Sequence, residues 1–338
     1  MNLLVTGGAG YIGSHFILEA LRNNHQIVAI DNFLNSYKET IDKIERIAEK
    51  KFHFYNISVD DKASLYSIFK RHEIDAVVHF AGLKSVPESI QKPDLYLKNN
   101  VQGSEVLFDA MIENKVYKII FSSSASVYGN QNPPLTEDLQ LDPLNPYAES
   151  KVKIEKKLFD ISKKNNKLKV IILRYFNPVG CDSSYEIGDN QTKPTNLFPI
   201  ICSAISRNSF FEVYGDDYNT HDGTPIRDFI HISDLIIGHL KALDWLESSE
   251  KKLIKINLGT GKGYSVLDIV NKFQEIIGHK IKYKFSSRRE GDPQVSFADN
   301  KLAFKELDWR AIKNLHEMCH DSLKWHEALY KKKLPNKS

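Results

Sequence analysis

Tyr147 and Lys151 lie in the run Asn145-Pro146-Tyr147-Ala148-Glu149-Ser150-Lys151. Four residues apart at the opening of a predicted helix, both side chains leave one helical face a turn apart. A free tyrosine is a poor base at neutral pH, since its pKa is near 10. An ammonium held beside it favours the phenolate, which can take a proton from a hydroxyl group. Alone, this spacing is common on surface helices; a second grouping gives it meaning. Gly7-Gly8-Ala9-Gly10-Tyr11-Ile12-Gly13 follows a short apolar run, Asn2 to Thr6, and precedes an apolar-periodic helix from about Tyr11 to Asn24. Glycines there permit a tight turn and let backbone N–H groups and the helix N-terminus approach a pyrophosphate. The next strand, Gln26 to Ile30, ends at Asp31, eighteen positions after Gly13. A carboxylate at that point accepts ribose hydroxyls and repels a 2′-phosphate, which favours NAD over NADP.

The elements that must position these groups alternate. Strand Phe52 to Tyr55 precedes a helix near Asp61 to His72; strand Ala76 to Phe80 precedes a helix near Pro93 to Asn114; strand Lys118 to Ser122 then leads towards the Tyr147 helix. Such alternation predicts an α/β fold, a doubly wound parallel sheet with helices on both faces. The dinucleotide should lie across the carboxyl ends of the strands, at Asn56-Ile57, Phe80 to Lys84 and Ser122 to Ser124. After the strand Lys169 to Tyr175 the chain changes character. Residues 176–196 are rich in Gly, Pro, Asn and Asp and read as irregular. A helix (196–207), short strands (211–214, about 227–232, 255–258 and 281–285) and helices (about 233–247, 265–277 and 313–330) follow. They predict a smaller, interleaved α/β substrate-binding domain. Residues 1–175 then form the dinucleotide-binding domain, with segments near 227–250 returning to it, and 176–226 and 251–338 belong mainly to the second.

The 338 residues suffice for a large core, and 41% hydrophobic with 26% charged residues is ordinary for a soluble globular chain. The net charge of +3 is spread, which gives no reason to expect nucleic acid or a membrane surface. The basic end, Lys331 to Lys333, reads as a solvated terminus. Three widely spaced cysteines (Cys181, Cys202, Cys319) do not make a disulfide framework. With no charged lead or apolar h-region before the first strand, the expected location is cytoplasmic. One rival motif stands out. His316-Glu317-Met318-Cys319-His320 matches H-E-x-x-H, a zinc-hydrolase pattern. A catalytic zinc also needs a third ligand, and His326 and Glu327 lie too near along the same helix to supply it, so the match reads as coincidence and no metal is expected.

The runs Gly7 to Gly13, HFAGLK (79–84), FSSSASVYG (121–129), PYAESK (146–151) and LRYFNPVG (173–180) resemble the extended short-chain dehydrogenase/reductases. With DGTPIRDFIH (222–231), NLGTGKGYSVLD (257–268) and SRREGDP (287–293), the resemblance narrows to the UDP-hexose 4-epimerases and spans nearly the whole chain. It implies a Rossmann domain, NAD as cofactor, a UDP-sugar substrate and a homodimer paired through helices near 93–114 and 147–166. It implies a reaction in which Tyr147 takes the 4-hydroxyl proton as C4 is oxidised, the 4-keto sugar turns, and hydride returns to its other face. Ser124 would hydrogen-bond the same oxygen, and Lys151 would bridge the nicotinamide ribose and lower the tyrosine pKa.

Cofactor contacts are expected, by the same resemblance, from Gly7, Gly10, Tyr11, Ile12 and Gly13, and from Asp31, Asn32, Asn56 and Ile57. Phe80, Ala81, Gly82, Lys84, Asn99, Ser122, Tyr147, Lys151 and Tyr175 complete that set. Substrate contacts are expected from Lys84, Ser124, Tyr147, Asn177, Asn196, Leu197 and Tyr214. Arg227 and Arg289 should meet the UDP phosphates, where a guanidinium fork suits paired oxygens; Arg288 leaves the register of the second open. Asp292 should bind ribose, and Ser296 should border the sugar. Dehydratases and decarboxylases of this superfamily carry acids beside the position of Ser124, whereas this chain has Ala125 and Ser126. A non-catalytic NAD-binding sensor is a further alternative, although such proteins typically lose the tyrosine or the lysine. Two departures matter. Asn56 stands where many relatives have aspartate, and Ser296 stands where epimerases restricted to glucose and galactose often have tyrosine. Serine there should leave room for a 2-N-acetyl group.

Overall fold

The computed structural model describes residues 1–190, 194–289 and 291–333, with the backbone alone for 330–333; the side chains of Lys331 to Lys333 lie outside the described residues. Seven parallel strands make the central sheet. In chain order they are β1 (Asn2–Thr6), β2 (Gln26–Asp31), β3 (His53–Asn56), β4 (Ala76–His79), β5 (Lys118–Ser124), β6 (Lys169–Tyr175) and, far along the chain, Leu253–Leu258. The spatial order is Leu253–Leu258, β6, β5, β4, β1, β2, β3. The chain winds outward in both directions from β1, so the order reverses between β1 and β4. That switch point is where an open α/β sheet leaves a crevice for a ligand.

Period-two alternation sorts β1 between two apolar layers: Leu3 and Val5 enter the core beneath one face and Leu4 the core beneath the other. The first layer is closed by α1 (Tyr11–Arg22) and α2 (Glu39–Ala48), the second by α3 (Lys62–Arg71). Beyond β4 come α4 (Val86–Gln91), α5 (Pro93–Tyr96) and α6 (Gly103–Glu113), the last two joined by a π-helical turn, Leu97–Gln102. Next is α7 (Pro146–Lys164), which begins where it does for local reasons. The Asn145 side chain accepts from the Ala148 N–H at 2.9 Å, and Pro146 occupies the first helical turn, where its missing N–H costs nothing.

The later chain adds α8 (Leu197–Arg207), α9 (Ile232–Ser248), α10 (Val266–Ile277), α11 (Lys301–Leu307) and α12 (Leu315–Lys333) with short strands between them, and α8, α10 and α12 build a separate core for the second unit. Of these, α9 and α11 pack back on the central sheet, whereas Phe198, Phe229, Phe273 and Met318 cluster apart from it. One boundary differs from the sequence reading. Leu253–Leu258 pairs in parallel with β6 along its length, so it belongs to the central sheet rather than to the second unit. The periodicity of 251–258 is that of a buried strand, which carries no mark of the sheet it will join. Among the described residues no helix is long and apolar enough to cross a membrane.

Under the carboxyl ends of β5 and β6 lies a buried polar network. Arg174 is fully buried, and its guanidinium donates to Glu155 of α7 from Nε at 3.1 Å and from Nη2 at 2.6 Å. Its Nη1 donates to the Tyr128 hydroxyl at 2.9 Å, and Ser123 Oγ donates to Glu155 at 2.5 Å. A buried ion pair is tolerable only when its remaining hydrogen-bonding capacity is filled, and these partners fill it. The result fixes α7 against the two strands that flank the site.

Candidate active site

A cleft of about 880 Å³ opens at the switch point. Its floor is the glycine turn. Gly7 has φ +70° and its N–H donates to the Ile30 carbonyl at 2.9 Å, so the turn is pinned to β2. A Cβ on Gly13 would sit 2.1 Å from the Gly7 carbonyl oxygen, so α1 starts flush against the turn only with glycine there. Asp31 ends β2 and accepts from Ala9 N at 3.0 Å, Phe33 N at 2.8 Å and Ser36 Oγ at 2.7 Å. Three donors hold its orientation while lone pairs remain for ligand hydroxyls. Gly7, Gly10, Tyr11, Ile12, Gly13, Asp31, Asn32, Ile57, Phe80, Ala81, Gly82, Lys84, Asn99 and Ser122 all line this cleft. Four expected contacts do not: Asn56, Tyr175, and Tyr147 and Lys151 of α7. Asn56 is exposed at the end of β3, and the residues after it, Ile57 and Ser58, line the cleft instead. Tyr175 is buried, and its hydroxyl bonds His239 rather than facing the cleft.

A directed chain of hydrogen bonds supports the cleft from below. Thr6 Oγ1 accepts from Ala81 N at 3.2 Å and contacts His79 Nδ1 at 2.7 Å; His79 Nε2 contacts Ser104 Oγ at 2.8 Å, and Ser104 donates to the Asn100 carbonyl. Burial pushes His79 down to about 3, so it is neutral and the chain runs one way. Asn100 in turn donates to the Leu83 carbonyl at 3.0 Å and to Ser150 of α7 at 3.1 Å, and accepts from Leu83 N at 2.8 Å. Neither His79 nor Asn100 was singled out as a positioning residue. His79 opens the motif HFAGLK, whereas Asn100 lies outside every motif.

At the end of β5, Ser124 and Tyr147 face each other. Ser124 accepts from Ser126 N at 3.2 Å and from Ser126 Oγ at 2.9 Å. The Tyr147 ring packs edge-on against buried Tyr96, with centroids 6.5 Å apart. Lys151 is buried, and its ammonium lies 5.8 Å from the Tyr147 centroid. One expectation needs correcting here. Lys151 spends a hydrogen bond on the Ser122 carbonyl at 2.8 Å, and burial lowers it to about 8. Burial raises the Tyr147 pKa, opposed by hydrogen bonding to Ser124. Lys151 alone therefore does not bring Tyr147 below its ordinary value, because the pocket that holds the ammonium also desolvates the phenol.

Apart from Lys84, which lines the cleft, and Ser124 and Tyr147 at the end of β5, the expected substrate contacts lie outside the cleft. Arg227, on the short strand Ile226–Arg227, stands between Tyr264 and Ser296 of neighbouring strands. Burial lowers its pKa, and Asp292 lies 3.9 Å away. Arg289 stacks on Tyr214 with its guanidinium carbon 3.9 Å from the ring centroid. Arg288, by contrast, is committed to Asp217 at 2.7 Å and stacks on Tyr218. Of the two, it is Arg289 whose charge acts on Arg227. Asn177 Nδ2 donates to the Asp228 carbonyl at 2.8 Å. Asn196 precedes α8, whose first residue is Leu197, without a side-chain cap bond, and its Nδ2 donates to Asp189 at 3.3 Å. Asp228 is fully buried and binds this region together: its carboxylate accepts from Thr260 N at 2.9 Å, Gly261 N at 2.9 Å and Ala298 N at 3.2 Å. The rival H-E-x-x-H motif lies on α12, where Glu317 accepts from Lys313 Nζ at 2.7 Å and Asn314 N at 2.9 Å. Its glutamate closes the start of its own helix.

Comparison with known proteins agrees with this geometry. The family described as "NAD dependent epimerase/dehydratase family" matches residues 3–259. The chain is 44% identical over 331 residues to the UDP-glucose 4-epimerase of Bacillus subtilis (strain 168), covering 97% of each. The UDP-glucose-4-epimerase of Stenotrophomonas maltophila, solved with bound NAD and formylated UDP-arabinopyranose, superposes with a TM-score of 0.95 at 40% identity, over 98% of this chain and 99% of that one. The UDP-Glc/GlcNAc 4-epimerase of Campylobacter jejuni superposes with a TM-score of 0.84 at 35% identity, over 97% and 99%. A turn, an acid at the end of the next strand and a cleft that suit a dinucleotide, joined to these similarities, lead to one conclusion: the chain belongs to the NAD-dependent epimerase/dehydratase family and, within it, to the UDP-hexose 4-epimerases.

Proposed function

We propose that the protein interconverts UDP-glucose and UDP-galactose, and UDP-GlcNAc and UDP-GalNAc, by inverting C4 with no net oxidation. The observation that carries this reading is the pairing of Tyr147 and Ser124 beside the cofactor cleft, with Ala125 and Ser126 next to them. Such a site can move one proton at one oxygen, and it lacks the neighbouring carboxylates that removing water or carbon dioxide calls on. A direct proton abstraction at C4 would leave an unstabilised carbanion, so a transient ketone is the accessible route. Bound NAD supplies the reversible hydride acceptor. Tyr147 takes the 4-hydroxyl proton and returns it, Ser124 holds the oxygen in line, and Lys151 fixes the floor of the site through Ser122. Arg227 and Arg289 grip the diphosphate, Tyr214 backs Arg289, and Asp292 meets the ribose. In functional terms residues 1–175 hold the dinucleotide and the later chain holds the sugar nucleotide. The experiment is conversion of UDP-glucose carrying deuterium at C4. The label should remain at C4 of the UDP-galactose formed; its loss to water would overturn the reading.

The N-acetylated substrates follow from Ser296, and their support includes the likeness to the Campylobacter jejuni enzyme, whose name covers both sugars. We also infer a homodimer. Leu95 of α5 and Phe159 of α7 are 38% and 44% exposed on helices that a paired bundle would cover. Sedimentation equilibrium should give twice the chain mass, and a single-chain mass would reject the dimer.

A further inference from the structure

The wall of the cleft that faces the glycine turn comes from the second unit. Glu186, Ile187, Gly188 and Asp189 line it, together with Trp325 of α12. This segment is a built hairpin. Cys181 and Gly188 pair antiparallel, the Ile187 carbonyl accepts from Asp182 N at 3.0 Å, and the Asp182 carbonyl accepts from Tyr185 N at 2.8 Å. Trp325 braces it from behind. A Cβ on Gly188 would lie 2.5 Å from the indole, and Trp325 Nε1 donates to the Asp189 carbonyl at 3.2 Å. Charge ties the hairpin back to the nucleotide-binding unit at three places, the first being Arg22 of α1, whose Nη1 lies 3.5 Å from Asp182. Arg46 of α2 donates a two-pronged bond to Glu186, one prong 3.1 Å, and Lys84 Nζ lies 3.9 Å from Asp189. Lys43, one turn before Arg46, places its ammonium 5.6 Å from the Trp325 ring centroid.

From this arrangement we infer that the hairpin 181–189, braced by Trp325, is a clasp that retains the dinucleotide, with the Arg46–Glu186 pair as its fastening. A nucleotide in the cleft lies between the glycine turn and the hairpin, so it leaves only when the hairpin swings away. That swing breaks the ion pair. The inference needs NAD in the cleft, and it does not depend on which sugars are turned over. Under the reaction proposed above it has a purpose, because a hydride that must return to the same sugar is wasted if its carrier escapes.

The test follows release of NAD from the purified holoprotein, as nucleotide remaining on the protein at successive times after rapid desalting, with no sugar present. Glu186→Arg and Arg46→Glu each place like charges together, at an exposed position on α2 and a half-buried one on the hairpin. Each should release NAD at least about fivefold faster than the parent. The double variant, Arg46→Glu with Glu186→Arg, restores attraction with the charges exchanged and should return release to within about twofold of the parent. High salt should quicken release from the parent, since the fastening is solvent-exposed. Single variants that hold NAD as long as the parent would overturn the inference, as would an exchanged pair that leaks as fast as the singles. A failure of the epimerase reading would show instead in the fate of the C4 label, with release unaffected.

Discussion

Tyr147→Phe should lower turnover of every UDP-sugar substrate by at least about a thousandfold while the protein still carries its NAD. The change removes one oxygen and little else. The ring keeps its edge-on packing against Tyr96 at 6.5 Å, and the cap that starts α7, Asn145 on Ala148 N, does not involve it. What is lost is the acceptor of the 4-hydroxyl proton, a role for which general-base removal typically costs about a hundredfold to ten-thousandfold. No neighbour can take it over. Ser124 is a weaker base than a phenolate and already accepts two bonds from Ser126. Lys151, although lowered to about 8, points its ammonium at the Ser122 carbonyl. The measurement pairs the equilibration rate of UDP-glucose and UDP-galactose with the absorbance of bound nucleotide. Undiminished turnover would remove Tyr147 from the chemistry. Turnover lost together with NAD would make it a binding residue.

Local pattern carried much of the fold and one half of the site. Gly7, Gly10 and Gly13 could be read because a tight turn against a strand and a helix start are short-range demands, and Asp31 because it ends the very next strand. Tyr147 and Lys151 could be read because a helix fixes what lies four residues apart. Less legible were partners whose proximity is created by the sheet. Arg174 and Glu155 lie on adjacent elements, yet nothing in either segment says that a guanidinium will be fully buried beneath β5. His79 and Asn100 meet their partners only after β4 and the π-helical turn are in place. The hardest were those in which the second unit returns to the first. Trp325 braces a wall of the dinucleotide cleft from a helix more than three hundred residues after the glycine turn, and no periodicity could have foretold it. Tyr175 shows the complementary limit. Its place at the carboxyl end of β6 is right for a cofactor contact, but alternation turns its hydroxyl to His239.

Ser296→Tyr should cost the N-acetylated substrates about a hundredfold in kcat/KM and leave UDP-glucose and UDP-galactose within about threefold. Ser296 sits in register with Arg227 on the adjoining strand, so it is one strand-width from the proposed diphosphate grip. Its backbone cannot retreat to make room for a larger side chain. The Ser296 carbonyl accepts from Asp228 N at 2.9 Å, and the Asp228 carboxylate holds Ala298 N at 3.2 Å two residues on. A tyrosine ring must therefore enter whatever space the serine leaves. If that space is the sugar pocket, the ring takes the volume of a 2-N-acetyl group and spares a 2-hydroxyl. If it is packed interior, overpacking by a ring destabilises the fold and both substrate pairs fall together. Comparing kcat/KM for all four UDP-sugars, alongside the thermal midpoint, separates these outcomes. Equal loss of both pairs would mean that Ser296 supports the pocket without gating it, and the N-acetyl activity would then have to rest on other residues.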